Sequence, residues 1–230
     1  MATVGSLFSG IGGLDLGLER AGHSVIWQSE IDKYASQVLA RHWPGTPNHG
    51  DITKIDWTQV ERPDILCGGF PCQNISSCNA YTQHGLAGAK SGLWYSYLDG
   101  ISELRPEWVV VENVARYTSW VPQVQDDLAA LGYSSVPIEV PAGSVGAPHI
   151  RRRILLVANT DPSGEPTRTV YEKAQELRPV AGFCAGWEPA PPPSFRVDDG
   201  VPNRLHRNNG LGNAVVPQVA ELVGRLIPVE

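Results

Sequence analysis

The chain is 230 residues long, 42% hydrophobic and 18% charged, with 24 Gly and 19 Pro. That length fits one full domain with a small appendage, and glycine and proline follow no collagen-like period, which excludes fibrous and intrinsically disordered classes. No apolar run approaches the ~20 residues of a membrane-spanning helix, and Met1-Ala2-Thr3-Val4 lacks the basic-then-apolar pattern of a leader. A cytoplasmic protein with no membrane partner is expected. Cys67, Cys72, Cys78 and Cys184 are too few for a disulfide scaffold and lack the paired spacing of a zinc site, so reduced thiols and no metal are expected. The net charge of −6 weighs mildly against a nucleic-acid partner. Yet Arg151-Arg152-Arg153, Arg168, Lys173, Arg178, Arg196, Arg204 and Arg207 all fall in the second half, which fits either a local basic face or a solvated surface.

Thr3–Phe8 reads as a short strand that runs into the glycine turn Ser9-Gly10-Ile11-Gly12-Gly13. Leu14, Leu16, Leu18 and Ala21 supply the apolar face of a helix ending at Gly22, and Ser24–Glu30 is a second strand. Tyr34, Val38 and Leu39 keep helical spacing before Trp43-Pro44. Pro63–Cys67 and Trp108–Val111 are buried strands flanking a helix from Leu93 to Leu104, and Cys67 reads as core. Ile154–Ala158 is a further apolar run, residues 160–203 are proline-rich with little periodicity, and Val215–Ile227 returns to a helical pattern. Strands alternating with helices indicate βαβ units and a largely parallel sheet.

A strand, a glycine turn and a helix aim backbone N–H groups at a ligand, as in nucleotide sites. Position 15 is Asp, so the spacing departs from the pyrophosphate-gripping pattern and favours S-adenosylmethionine over NAD. Glu30 suits the ribose hydroxyls, and Asp51 suits an adenine amine. The alternative for the turn is a tight connection and nothing more. Gly68-Gly69-Phe70-Pro71-Cys72-Gln73 follows a strand directly, so Cys72 stands where ligands bind in open α/β sheets. Cys72 is either a nucleophile acting as its thiolate or a small buried hydrophobe.

Five blocks then occur in order: Phe8-Ser9-Gly10-Ile11-Gly12-Gly13, Gly69-Phe70-Pro71-Cys72-Gln73, Val111-Glu112-Asn113-Val114, Gly146-Ala147-Pro148-His149-Ile150-Arg151-Arg152-Arg153 and Leu211-Gly212-Asn213-Ala214-Val215. In this order they resemble the DNA (cytosine-5) methyltransferases over nearly the whole chain except about residues 160–203. The resemblance implies a Rossmann-like S-adenosylmethionine-dependent sheet, mostly parallel with one antiparallel strand, and a small irregular target-recognition subdomain. Residues 1–159 and 204–230 would form the catalytic domain, and 160–203 a reduced recognition region.

By the same resemblance, Cys72 adds to C6 of a flipped cytosine in duplex DNA, Glu112 holds the N3/N4 edge, and Arg151 and Arg153 support the base and its phosphate. The cofactor site would comprise Phe8, Gly10, Gly12, Leu14, Glu30, Ile31, Asp51, Ile52, Asn213 and Val215. Alternate placement on a strand sends Arg151 and Arg153 to one side and Arg152 to the other. Pro71, Gln73, Ser76, Lys90 and Arg204 would serve the DNA and the lid over the flipped base, which spans Asn74–Ser91. A monomer is expected, and the form resembles compact phage or prokaryotic enzymes of restriction-modification type. An RNA (tRNA) cytosine-5 methyltransferase and a non-catalytic DNA-binding relative are the alternatives.

The chain departs from the family in the lid segment Ser77–His84, in Ala89-Lys90 where a Glu-Arg pair is common, and in His149 where Gln is frequent. Lys90 keeps a positive charge without bidentate geometry. The short stretch between the arginine block and Gly212-Asn213 carries few side chains for groove readout, so a short or relaxed target of about two to four bases is expected.

Overall fold

The computed structural model describes residues 1–71, 92–115, 118–147, 149, 151–161, 163–176 and 214–228. The strands described are β1 (Thr3–Leu7), β2 (Ser24–Ser29), β3 (Ile65–Gly68), β4 (Trp108–Val114), β5 (Ser134–Pro141) and β6 (Arg152–Asn159). They form one sheet in the order β2-β1-β3-β4-β6-β5. β1, β2, β3 and β4 pair in parallel, whereas β6 runs antiparallel to both β4 and β5. The mostly parallel sheet with one antiparallel strand is therefore the architecture observed. The helices are α1 (Gly13–Arg20), α2 (Lys33–His42), α3 (Leu93–Leu104), α4 (Trp120–Ala130), α5 (Glu165–Glu176) and α6 (Pro217–Gly224).

Side chains on a strand alternate between faces, and the two apolar clusters follow that alternation. Ile65 and Cys67 of β3, Trp108 and Val110 of β4, and Leu155 and Val157 of β6 face one layer, with Leu18 of α1, Val170 of α5 and Val219 of α6. Leu66, Val109, Val111, Leu156 and Ala158 face the other, with Trp94 and Ile101 of α3 and Leu128 of α4. Both faces of the central strands are covered, which is why they read as unbroken apolar runs. Cys67 has no exposed surface, and burial pushes its thiol well above the ordinary range.

Three elements escaped the sequence reading. β5 is an edge strand carrying Pro137 and Pro141, and only Ile138 and Val140 of it are buried hydrophobics, so its alternation is short. α4 opens with Trp120-Val121-Pro122, where proline in the first turn costs no hydrogen bond. α5 lies inside the stretch expected to be irregular and corrects that expectation at its first part: it packs on β5 and β6. Only Thr167 and Val170 of α5 are buried, too thin a stripe to announce a helix. At the C-terminus the helix spans Pro217–Gly224 rather than starting at Val215, because Pro217 occupies the first helical position.

Among the described residues, one carboxyl group sits wholly inside this fold. Asp15 of α1 has no exposed surface; its carboxylate accepts from Gln28 Nε2 at 2.7 Å and Ser6 Oγ at 3.0 Å. Burial raises its pKa to about 6, partly offset by these two hydrogen bonds. The native chain thus holds this proton more tightly than the unfolded chain, whose value is 3.8. The proton-linked stability is complete below the unfolded value and is lost as pH rises through about 6. Asp15→Asn keeps an acceptor for Gln28 and offers a donor to Ser6. It should raise Tm at pH 7.5, by up to ~3 kcal/mol of stability, and the gain over the native chain should vanish in melts at pH 4.

Candidate active site

Parallel strands finish at one edge of a sheet, and an antiparallel strand begins there. The turn after β1, the loop after β3, the end of β4 and the start of β6 consequently share that edge. β1 pairs with β2 on one side and β3 on the other, so the strand order reverses between β1 and β3 and a crevice opens at their carboxyl ends.

The turn after β1 coils through three positive φ angles: Phe8 at 52°, Gly10 at 56° and Gly12 at 85°. Phe8 is the unusual one, because a bulky residue pays strain there and such strain gathers at functional sites. Its ring packs toward Tyr97, with centroids 6.3 Å apart. Glu30, just past β2, accepts from Gly10 N at 2.7 Å with Oε2 and from Asp32 N at 2.7 Å with Oε1. A carboxylate has about four acceptor sites, so Glu30 retains capacity for a diol. Ile31 beside it is 72% exposed, which sets it apart from the buried apolar residues of the core.

Asn48 joins the next segment to this corner. Its Oδ1 accepts from Glu30 N at 2.9 Å and Gly50 N at 3.0 Å, and its Nδ2 donates to Glu30 O at 3.1 Å. Ser29 Oγ donates to Gly50 O at 2.8 Å. Asp51 is thereby placed next to Glu30, and its own carboxylate caps the short 3-10 turn Ile52–Lys54 through Thr53 N. The Thr53 hydroxyl, that backbone bond and Lys54 hold the Asp51 carboxyl below its usual range. Ile52 and Leu14 are buried, and Leu14 turns into the core rather than toward the open side of the turn. Val215 returns to the glycine turn: a Cβ on Gly13 would stand 2.4 Å from Val215 O, so only glycine admits this approach. A cavity of about 340 Å³ lies between Ile52, Thr53, Ile55 and Trp57 on one side and Ser96 and Asp99 of α3 on the other, and one of about 510 Å³ is lined by Gly12, Gly13, Leu16, His149, Arg151 and Val215.

The second half of the site is built at the ends of β3 and β4. Alternation sends Glu112 to the α1/α6 face and Asn113 to the opposite one. Asn113 is buried and donates from Nδ2 to Phe70 O at 3.3 Å. The Phe70 ring rests against Trp94 and Trp120 at centroid distances of 5.7 and 5.9 Å. Phe70 and Pro71 are therefore fixed at the point where the chain leads into Cys72. Gly69 has no Cβ, which would otherwise stand 2.5 Å from Glu112 Oε2.

Glu112 is 7% exposed, and Arg153 Nε lies 2.6 Å from its Oε1. The two side chains form a largely buried ion pair. The cross-strand register explains the pairing: Glu112 opposes Leu155 and Val114 opposes Arg153, which makes Glu112 and Arg153 diagonal neighbours on one face. Burial lifts the Glu112 pKa to about 7 against the lowering pull of Arg153 and Arg151. Burial and the charge of Arg153 in turn lower the Arg151 pKa. Arg152 points away, 62% exposed, to Glu139 at 3.3 Å.

The structure places Phe8, Gly10, Gly12, Glu30, Ile31, Asp51 and Val215 around the glycine turn and Pro71, Glu112 and Arg153 at the ends of β3, β4 and β6, while Arg151 lines a cavity together with Gly12 and Val215. Cys72, Gln73, Ser76, Lys90, Arg204 and Asn213 lie outside the described residues. The sequence reading gave no role to Asn48, Gln28 or Asn113 and took Asp15 only as a break in the glycine spacing. Each is a polar residue in or beside an apolar run, a signal that carries weight only once burial is known.

The sequence profile described as C-5 cytosine-specific DNA methylase matches residues 2–181. The type II methyltransferase M.BsuFI of Bacillus subtilis is 31% identical over 210 residues, 85% of this chain and 51% of that protein. M2.BsuMI of Bacillus subtilis (strain 168) is 34% identical over 67% of this chain and 41% of its own length. M.HhaI of Haemophilus parahaemolyticus is 32% identical over 66% of this chain and 47% of its own. The chain therefore spans about half the length of these curated relatives or less. Among solved structures, a DNA modification methyltransferase described as prophage-encoded in E. coli superposes with a TM-score of 0.57 at 28% identity, over 69% of this chain and 47% of that one. Spodoptera frugiperda DNMT2 shares the fold alone, with a TM-score of 0.58 at 19% identity over 70% of this chain and 51% of that one. With the profile covering most of its length, this chain belongs to the C-5 cytosine-specific DNA methylase family.

Proposed function

We propose that the protein transfers a methyl group from S-adenosylmethionine to C5 of a cytosine flipped out of duplex DNA, through a covalent bond between Cys72 and C6. The observation that supports this best is the buried Glu112 carboxyl, paired with Arg153 and standing over Gly69 in the loop that leads into Cys72. The Glu30 carboxylate on the glycine turn, the exposed Ile31 and the strained Phe8 fit an adenosyl group with an apolar wall. When bound, S-adenosylmethionine supplies an electrophilic methyl on a sulfonium.

C5 of cytosine is too weak a nucleophile to attack that methyl unaided. The Cys72 thiolate adds to C6, and the ring electrons pass to C5, which takes the methyl; a base then removes the C5 proton and the thiolate is eliminated. Glu112, with its pKa near neutrality, can hold a proton toward N3 and accept from the N4 amine. Arg151 and Arg153 supply positive charge beside it. Extruding the base costs a few kcal/mol, roughly, and Pro71, Gln73, Ser76 and Lys90 are assigned to the loop that holds it there. Asn213 is assigned to the cofactor together with Val215. The reduced recognition role is assigned to residues 160–203, with Arg204 at its border. The short stretch between the arginine block and Gly212-Asn213 suits a short or relaxed target.

Cys72→Ala should abolish methyl transfer to duplex DNA in a tritium-transfer assay while leaving calorimetric binding of S-adenosylmethionine intact; full activity would remove the covalent route. Glu112→Gln should lower turnover by about 10²-fold or more with little change in cofactor affinity. In the native enzyme, kcat/KM should fall as pH rises through about 7, where Glu112 loses its proton. That limb should be absent from the profile of Glu112→Gln, and its persistence would assign it to another group.

A further inference from the structure

Asp15 has no part in the chemistry above, yet its carboxylate is buried beneath the glycine turn with both oxygens engaged. Its two partners are not arbitrary. Ser6 of β1 and Gln28 of β2 are direct cross-strand neighbours in the parallel register, so Asp15 drops from the first turn of α1 onto one rung of the sheet. Ser6 extends the contact: Ser9 Oγ lies 2.9 Å from Ser6 Oγ and 3.1 Å from Ser6 O, and Ser9 O accepts from Gly12 N at 2.9 Å. The turn is tied to β2 a second time by Ser9 N donating to Ser29 O at 3.3 Å. Glu30 follows that residue and receives Gly10 N.

We propose that Asp15 is a positioning residue of the cofactor site: by clamping α1 to Ser6 and Gln28, it sets the glycine turn at its distance from Glu30. The proposal rests on reading that corner as the S-adenosylmethionine site. α1 is only eight residues long and its N-cap is Gly12, which has no side chain to hold the helix entrance. The Asp15 bonds anchor that entrance from below. The clamp requires an acceptor for the Gln28 amide and a partner for the Ser6 hydroxyl, and it does not require a charge. Asn meets both needs; Leu meets neither.

The test is calorimetric binding of S-adenosylhomocysteine to the full chain, with Tm recorded for each variant. Asp15→Leu and Gln28→Met should weaken binding by about tenfold or more, because each strands a buried polar group and frees the turn. Asp15→Asn should recover most of that loss, to within about threefold of the native affinity. Methyl transfer at saturating donor should change far less than the KM for the donor. Should Asp15→Leu fail to fold, Gln28→Met decides the question. Native-like affinity in folded Asp15→Leu or Gln28→Met, or an Asp15→Asn as weak as the Leu variant, would overturn the clamp. A native chain that binds no adenosyl ligand would remove the cofactor reading and the clamp with it, whereas a binding native chain with unaffected variants removes the clamp alone.

Discussion

Everything at the sheet edge is arranged around one carboxyl group kept out of water. Glu112 stands at the end of a central strand, and desolvation there disfavours its charge while Arg153 and Arg151 favour it. Burial is the larger influence, and the carboxyl is held close to neutrality instead of being locked as an anion. A fully exposed ion pair would leave an acid that ionises far below neutral pH and has no proton to offer a pyrimidine. The balance depends on β6 running against its neighbours, since only an antiparallel strand begins where β4 ends and brings Arg153 diagonally across from Glu112. A parallel β6 would deliver its first residues to the far edge.

The surroundings of that carboxyl are stiff for identifiable reasons. Phe70 is held between Trp94 and Trp120, Asn113 ties its carbonyl, and the Tyr97 hydroxyl lies 3.2 Å from Leu66 O and 3.1 Å from Val110 O. Three large side chains and an amide thus fix the last residues before Cys72. At the other end, Asn48 and Glu30 turn two loops into one corner. Sites with their supporting groups packed in this way lose little freedom on binding. The strain recorded at Phe8 belongs to the same economy of a preorganised turn.

The strands and helices that were legible in the sequence are those whose apolar residues are many and regular. Trp108–Val111 announces a strand buried on both faces, and Leu93–Leu104 a helix with a broad apolar stripe. α5, with two buried residues, and β5, an edge strand with two prolines, present no such pattern and were not legible. The ordered motifs located Glu112, Arg151, Arg153 and the glycine turn, because short spacings around a strand end constrain where side chains go. They could not reveal that Glu112 needs Gly69 for room, or that Asn113 turns to the opposite face and holds Phe70. Both follow from contacts between β3 and β4, which no local spacing encodes. Asp15 was noticed only as a break in a glycine pattern, since its partners lie on two other strands.

The central claim is that a sulfur in the loop after β3 bonds to the ring that Glu112 holds. Unmethylated duplex DNA carrying 5-fluorocytosine in randomised sequence contexts, incubated with the native chain and S-adenosylmethionine, tests it directly, because fluorine at C5 cannot be removed as a proton and so blocks release of the adduct. The account predicts a denaturation-resistant protein–DNA species whose cross-linked peptide, mapped by mass spectrometry, contains Cys72. An adduct on Cys78, or product formation with no adduct at all, would contradict it.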